Sequence, residues 1–351
     1  MLARVAYLNT GTFGPLPQRS ADAMAAEQKR HVEEGRAGRP FFERMLGLRE
    51  AVREALARLL GAPEPSSVAL TTSTTEGCNA VVGGLRLGAG DEVVTTDVEH
   101  PGLLGALRAW DVTVRVARVR DRPAREALGA IEAEISPRTR LLALSHVAWT
   151  TGAVLPIREL SGRGIPVLVD GAQGAGAIPV DVADLGCDFY TVSGQKWLLG
   201  PDATGGLYVR PDRVGDLAMT FASYISWEDP YELAPWPDAR RFDAGWVALG
   251  SLAGLLASLS LAEEAGDERF GRARAVAELC RALVGRRAEV VTEPDQATLV
   301  SWKPEGDAAA VAKRLADEGI VVRDLPGAGW VRASCGFWTS EEEIERLAAA
   351  L

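Results

Sequence analysis

"YTVSGQKWLLGP", residues 190–201, places a lysine directly after a run that reads as a buried strand. Phe189, Tyr190, Thr191 and Val192 are aromatic or β-branched, the residue types that fit a pleated, half-buried surface. Ser193, Gly194 and Gln195 make a small polar turn, and Gly200-Pro201 stops the stretch. Lys196 thus stands at the end of a core strand, where an amine is costly to bury without a partner. A lone lysine at a strand-to-helix turn is ordinarily a surface charge, so the surrounding strand ends decide what this one does.

Six more short apolar runs share this texture: SVALTT (67–72), DEVVTT (91–96), VTVRVARV (112–119), RLLALSHV (140–147), IPVLVDGA (165–172) and TGGLYVRP (204–211). Most are near-continuous apolar strands followed by polar turns and helical patterns. That texture belongs to strands covered on both faces. The expected fold class is α/β: a mostly parallel seven-stranded sheet with helices on both faces, plus a smaller α+β domain. Before the strands, residues 17–60 read as helical, and the run Glu43–Leu60 ends at Gly61 with Pro63 beyond it. Residues 222–247, rich in Pro, Trp and charge, read as a long structureless loop serving an interface or a lid. Helical runs follow at 248–266 and 268–286. Strand-like AEVVTE, ATLVSWK, GIVVRD and GWVRASC then alternate with a helical stretch at 307–318, and Ser340 with Glu343 forms a capping box for a last helix. The expected organisation is an N-terminal segment, 1–14, joining the small domain, a large cofactor-binding domain, 15–250, and a small domain, 251–351.

Composition excludes several classes. The 351 residues carry a formal charge of −10, which argues against a nucleic-acid partner. Four scattered cysteines without a CxxC pair, and only three histidines, leave no metal site or disulfide framework expected. No stretch approaches a membrane span and the N-terminus lacks a signal-peptide core, so a cytoplasmic protein is expected.

Ligands of open α/β sheets sit at the carboxyl ends of strands. Several such ends are polar here: Ser73-Thr74-Thr75, Glu99-His100, Asp170 with Gln173, and Ser193 to Lys196. Asp170 closes the run IPVLVD, 26 residues before Lys196. A carboxylate facing a pyridine nitrogen and a lysine beside an aldehyde are what a pyridoxal phosphate site requires. Thr71 to Gly77 is a hydroxyl-rich turn between a strand and a helical run, suited equally to a helix cap or to a phosphate.

The stretch "LVDGAQGAG…DFYTVSGQKWLLGP" resembles the class V aminotransferase family of fold-type-I pyridoxal-phosphate enzymes. "TTSTTEGCN" resembles that family's phosphate-binding turn, "EH" its ring-stacking histidine, and "WVRASCGFWTSEEEIERL" its C-terminal signature. The resemblance implies Lys196 as the Schiff-base lysine, Asp170 at the pyridine nitrogen, Gln173 near the ring hydroxyl and His100 stacked on the ring. It implies Thr74, Thr75, Ser193 and Gln195 around the phosphate, and Arg332 as the clamp for a substrate carboxylate. "YLNTGTFGPLP" (7–17) and "SHVAWTTGAVLPI" (145–157) resemble the cystine and cysteine C–S lyase branch, which implies Asn9, Trp149 and Thr150 as substrate contacts. Two positions depart from the family pattern. Thr150 stands where the lyases have asparagine, and Trp246 where many relatives have a threonine that reaches the partner subunit's phosphate. A desulfurase would carry a cysteine on a loop shortly before the arginine strand, and "EGIVVRDLPGAGWVRAS" has none. The implied activity is β-elimination on a sulfur-bearing amino acid, with an aminotransferase or an epimerase as alternatives and a cysteine desulfurase less favoured. The resemblance also implies a homodimer with its active site at the interface. Against a dinucleotide-binding enzyme, neither "GLRLGAGDEV" nor "DGAQGAGA" gives a G-x-G-x-x-G turn between a strand and a helix.

Overall fold

A computed structural model describes residues 5–351. The chain opens with β1 (Ala6–Tyr7), then runs through two long helices, α1 (Gln18–Glu34) and α2 (Gly38–Leu60). Gly61 ends α2 in the left-handed region (φ 60°), where its N–H closes back on the Arg58 carbonyl. The strands and helices then alternate: β2 (Val68–Thr71), α3 (Thr74–Gly84), β3 (Glu92–Thr96), α4 (Pro101–Arg108), β4 (Thr113–Ala117), α5 (Ala127–Glu132) and β5 (Thr139–Ser145). They continue with α6 (Ile157–Leu160), β6 (Val167–Asp170), α7 (Val182–Leu185), β7 (Phe189–Ser193) and β8 (Gly205–Val209).

β2 to β8 form one seven-stranded sheet in the order β2-β8-β7-β6-β5-β3-β4. Only β8 is antiparallel to its neighbours. Successive residues of each central strand go to opposite faces. Leu142, Leu144, Val167, Val169, Tyr190 and Val192 meet α2 and α8 on one side. Leu141, Ala143, Leu168 and Phe189 meet α3 and α4 on the other. Both faces are covered, which is why these strands read as unbroken apolar runs. The chain order reverses between β3 and β5, and a sheet of this kind opens its ligand crevice at that switch point.

Residues 222–247 are not structureless. They contain a hairpin, β9 (Trp227–Asp229) with β10 (Ala234–Pro235), and a 3-10 turn at Ala239–Phe242. Trp236 donates its Nε1–H to the Ile225 carbonyl, and the Arg240 guanidinium lies 3.8 Å over the Trp236 ring. Polar and cation–π contacts hold the segment, so it carries no apolar periodicity to read.

α8 (Leu249–Glu264) and α9 (Glu268–Val284) lead into a four-stranded antiparallel sheet. Its strands are β11 (Glu289–Val290), β12 (Leu299–Lys303), β14 (Arg323–Leu325) and β15 (Trp330–Ser334), in the order β11-β12-β15-β14. The stretch AEVVTE therefore supplies only two strand residues. α10 (Ala308–Asp317), β13 (Ile320–Val321) and α11 (Glu341–Ala350) complete the unit, with the Ser340–Glu343 capping box formed. β1 pairs in parallel with β13 in a separate two-stranded sheet, and an isolated bridge from Asn9 to Ser334 meets the end of β15. No helix among the described residues is long and apolar enough to cross a membrane.

Candidate active site

The carboxyl ends of β3, β5, β6 and β7 converge at the switch point. Pairing sets Ser145 opposite Asp170, and Asp170 opposite Thr191. The turn after β7 then carries Lys196. Asp170 is buried; its Oδ1 accepts the Ala172 N–H at 2.9 Å, and Oδ2 has no partner among the described residues. Lys196 is partly buried, and burial lowers its amine to about 8. Asp170 opposes that shift and Arg332 adds to it, so both charges act on the Lys196 amine.

Ser73 caps α3, accepting the Glu76 N–H at 3.2 Å. Thr74 Oγ1 lies 3.2 Å from Ser193 Oγ, so the two hydroxyl-bearing turns meet. The Thr75 side chain sits beside Gly102 at the start of α4. Gln195 Oε1 is buried without a partner. The N-terminus of α3 and two converging hydroxyls, which can turn to donate, suit a phosphate. With the Asp170 oxygen left open and a weakened amine at Lys196, these residues fit pyridoxal phosphate.

His100 is the N-cap of α4: its Nδ1 accepts the Gly102 N–H at 3.0 Å. Burial, then Lys196, lowers its pKa, so the ring is neutral. Trp149 meets it edge-on at 5.3 Å and donates Nε1–H to the Glu99 carbonyl. Thr150 is buried with its hydroxyl unpartnered. Asn9 bridges Ser334, and its Oδ1 accepts from Thr12 Oγ1. Gln173 is held through its amide: Nε2 donates one hydrogen to the Gly11 carbonyl and Oε1 accepts from Trp197 Nε1, both at 2.8 Å.

Arg332 lies on β15 and is only 1% exposed, yet no carboxylate pairs with it among the described residues. Its Nη1 donates to the Trp149 carbonyl at 2.6 Å, and its Nε has no partner. Burial, then Arg323, disfavours its charged form. An arginine stays charged all the same, a cost that a bound anion would relieve.

Two residues of the site escaped the sequence reading of roles. Arg323 stands directly opposite Arg332 in the β14–β15 pair. Glu99 is buried, with its carboxyl pushed up to about 7 by burial. It accepts from Thr96 Oγ1 at 2.7 Å and from the Ser145 N–H at 2.9 Å. Antiparallel register and the meeting of two strand ends carry no local signal. A charged residue in a short apolar run, as in "GIVVRD", was the one available hint.

A family model, Aminotransferase class-V, matches residues 7–347. Isopenicillin N epimerase from Streptomyces clavuligerus is 33% identical, over 99% of this chain and 94% of the relative. A probable cysteine desulfurase from Pseudomonas aeruginosa is 34% identical, over 98% and 92%. The structure of the cystine C–S lyase C-DES in complex with its product, cysteine persulfide, superposes with a TM-score of 0.94 at 31% identity, covering 99% of this chain and 97% of that one. A mutant of C-DES with glycine covalently linked to the pyridoxal phosphate cofactor matches with a TM-score of 0.93, at 31% identity and over 99% and 96%. This chain belongs to the class V aminotransferase family of pyridoxal-phosphate-dependent enzymes.

Proposed function

We propose that the enzyme eliminates a sulfur leaving group from Cβ of an amino acid, a C–S lyase reaction of the cystine and cysteine type. The observation that carries this reading is the buried Arg332, without an acid among the described residues, bonded to the carbonyl of Trp149, whose ring packs against His100. A planar guanidinium fork receives a carboxylate bidentately. Arg323, opposite it, offers a second cation without a counter-charge among the described residues. Two adjacent arginines suit an amino acid with two acidic groups, which favours cystine over cysteine.

Pyridoxal phosphate, when bound, supplies the electron sink for negative charge at Cα. Thr74, Thr75, Ser193 and Gln195, with the first turn of α3, would hold its phosphate, and Asp170 would face its ring nitrogen. Lys196, its amine weakened by burial, takes the proton from Cα as the bond from Cβ to sulfur breaks. The released enamine hydrolyses to pyruvate and ammonia.

The cysteines argue against a persulfide-forming desulfurase. All four are buried, and burial pushes the Cys187 thiol up to about 12 and Cys78 well above its ordinary value. Only residues 326–329 separate β14 from β15. Epimerisation, in which the proton returns to Cα, is the second reading, favoured by the likeness to isopenicillin N epimerase.

An amino-acid panel tests the reading. Pyruvate with a persulfide released from cystine, or with sulfide released from cysteine, is expected. Loss of optical activity without pyruvate would overturn it in favour of an epimerase. A keto acid formed only with an amino acceptor would make the enzyme an aminotransferase.

A further inference from the structure

Residues 9–14 lie between the two sheets and touch both working ends of the cleft. On the small-sheet side, Gly11 N–H donates to Ser334 Oγ at 3.1 Å, and Ser334 N–H donates to the Leu8 carbonyl at 2.8 Å. A β-carbon at Gly11 would stand 2.8 Å from Arg332 Nη2 and 3.1 Å from its Cζ. On the large-sheet side, Gly14 N–H donates to the Gln195 carbonyl at 2.7 Å. A β-carbon at Gly14 would fall 2.2 Å from the Lys196 carbonyl oxygen. No side chain fits at either point without displacing what it meets.

Gln173 closes this arrangement into a ring. Its amide joins the Gly11 carbonyl to the Trp197 indole, and Trp197 follows Lys196 in the chain. Both hydrogen bonds are buried. The family resemblance implies this glutamine near a ring hydroxyl, a contact the second Nε2 hydrogen can serve while the first holds the strap.

We propose that Gln173 is a positioning residue that pins the 9–14 strap between Arg332 and Lys196, so that the strap sets the spacing between carboxylate clamp and catalytic amine. The argument is geometric. A substrate carboxylate is bonded to Cα, so clamp and amine must keep a fixed separation. Arg332 lies on β15 of the small sheet and Lys196 on the turn that leaves β7 of the large one, and the strap is hydrogen-bonded to both sides. A misplacement of about 1 Å can cost about 10²-fold in rate. This rests on the roles given to Lys196 and Arg332 above.

Three variants test it in the cofactor-loaded protein. Gln173→Leu removes both hydrogen bonds, Gln173→Glu keeps only the acceptor for Trp197, and Gly11→Ala pushes on the arginine fork. The measurements are hydrogen–deuterium exchange over residues 9–14, the visible absorption band, and KM against kcat. Both Gln173 variants are expected to raise exchange in the strap at least about tenfold. KM should rise about 10- to 100-fold in all three, with the band maximum unmoved in Gly11→Ala. Unchanged exchange in Gln173→Leu, or a shifted band with an unchanged KM, overturns the proposal. Should Gln173→Leu not fold, Gln173→Glu and Gly11→Ala decide it on the same measurements. A wild-type protein that forms no visible band with pyridoxal phosphate defeats the functional reading instead, and the exchange result still judges the strap.

Discussion

At the scale of single residues, the site is assembled from groups that the fold would be more stable without. Lys196 is held with its amine lowered to about 8 from an ordinary 10.5, so the folded protein binds that proton more weakly than the unfolded chain. The resulting penalty is present in full below about pH 8 and is relieved as the pH rises towards 10.5. Lys196→Met should therefore abolish the visible band and nearly all turnover, yet leave the cofactor-free protein at least as stable as wild type at pH 7. Melting curves of the two cofactor-free proteins should converge between pH 8 and 10.5; a variant markedly less stable at pH 7 would contradict this. Arg332→Lys keeps the charge but loses the fork. KM for an amino acid should rise about 10²-fold, corresponding to about 2–3 kcal/mol of a charge-assisted bidentate contact. Steady-state kinetics check it, and an unchanged KM would remove Arg332 from the carboxylate. Lys196 and Asp170 were legible because each ends a buried strand, where a charge needs a reason. Arg323 was not, because a residue's partner across an antiparallel pair depends on register, which the run "GIVVRDLPGAGWVRAS" leaves open.

At the scale of elements, the same contrast holds. The seven strands of the large sheet were readable because burial on both faces imposes unbroken apolar runs. The 222–247 segment was misread because its order comes from polar contacts between distant residues. Asp243 shows this most directly. It is buried and takes hydrogen bonds from Arg49 Nη2 at 2.9 Å, Arg53 Nη2 at 2.8 Å and the Leu70 N–H at 2.7 Å. One carboxylate thereby ties α2 and β2 to this segment. Burial alone would raise its pKa, but Arg53 and then Arg49 outweigh burial and hold it below 3.8. The stabilisation is present above pH 3.8 and is lost as the pH falls through that lower folded value. Asp243→Asn leaves the buried Arg49 guanidinium without a carboxylate and Arg53 with Glu50 alone, and should cost about 3–5 kcal/mol at pH 7, measured by urea unfolding. The gap to wild type should narrow under acid; a loss below about 1 kcal/mol would show that the knot is dispensable.

At the scale of the whole molecule, the apolar surface is unevenly placed. Leu46 on α2 and Tyr224 and Trp246 on the 222–247 segment are more than half exposed, and Tyr224 stacks on Trp246 at 6.3 Å. The β9–β10 turn adds Tyr231 at 95% and Leu233 at 59% exposure. α2 and this segment flank a cavity of about 510 Å³, lined by Leu46, Arg49, Tyr224, Trp227 and Trp236. Aromatic residues gathered on one exposed face mark an interaction surface rather than ordinary exterior. The family resemblance implies a homodimer with the active site at its interface, and this face is where the second copy is expected to sit. Because Tyr231 and Leu233 are exposed, replacing both with glutamate should leave the fold of the single chain intact while placing charge in the contact. Light scattering should then show wild type as a dimer and Tyr231→Glu/Leu233→Glu as a monomer, with circular dichroism unchanged. Turnover should fall with the loss of the dimer and recover at protein concentrations that restore it. A wild-type monomer with full activity, or a double variant that stays dimeric and active, would place the contact elsewhere and leave the cleft to be completed by this chain alone.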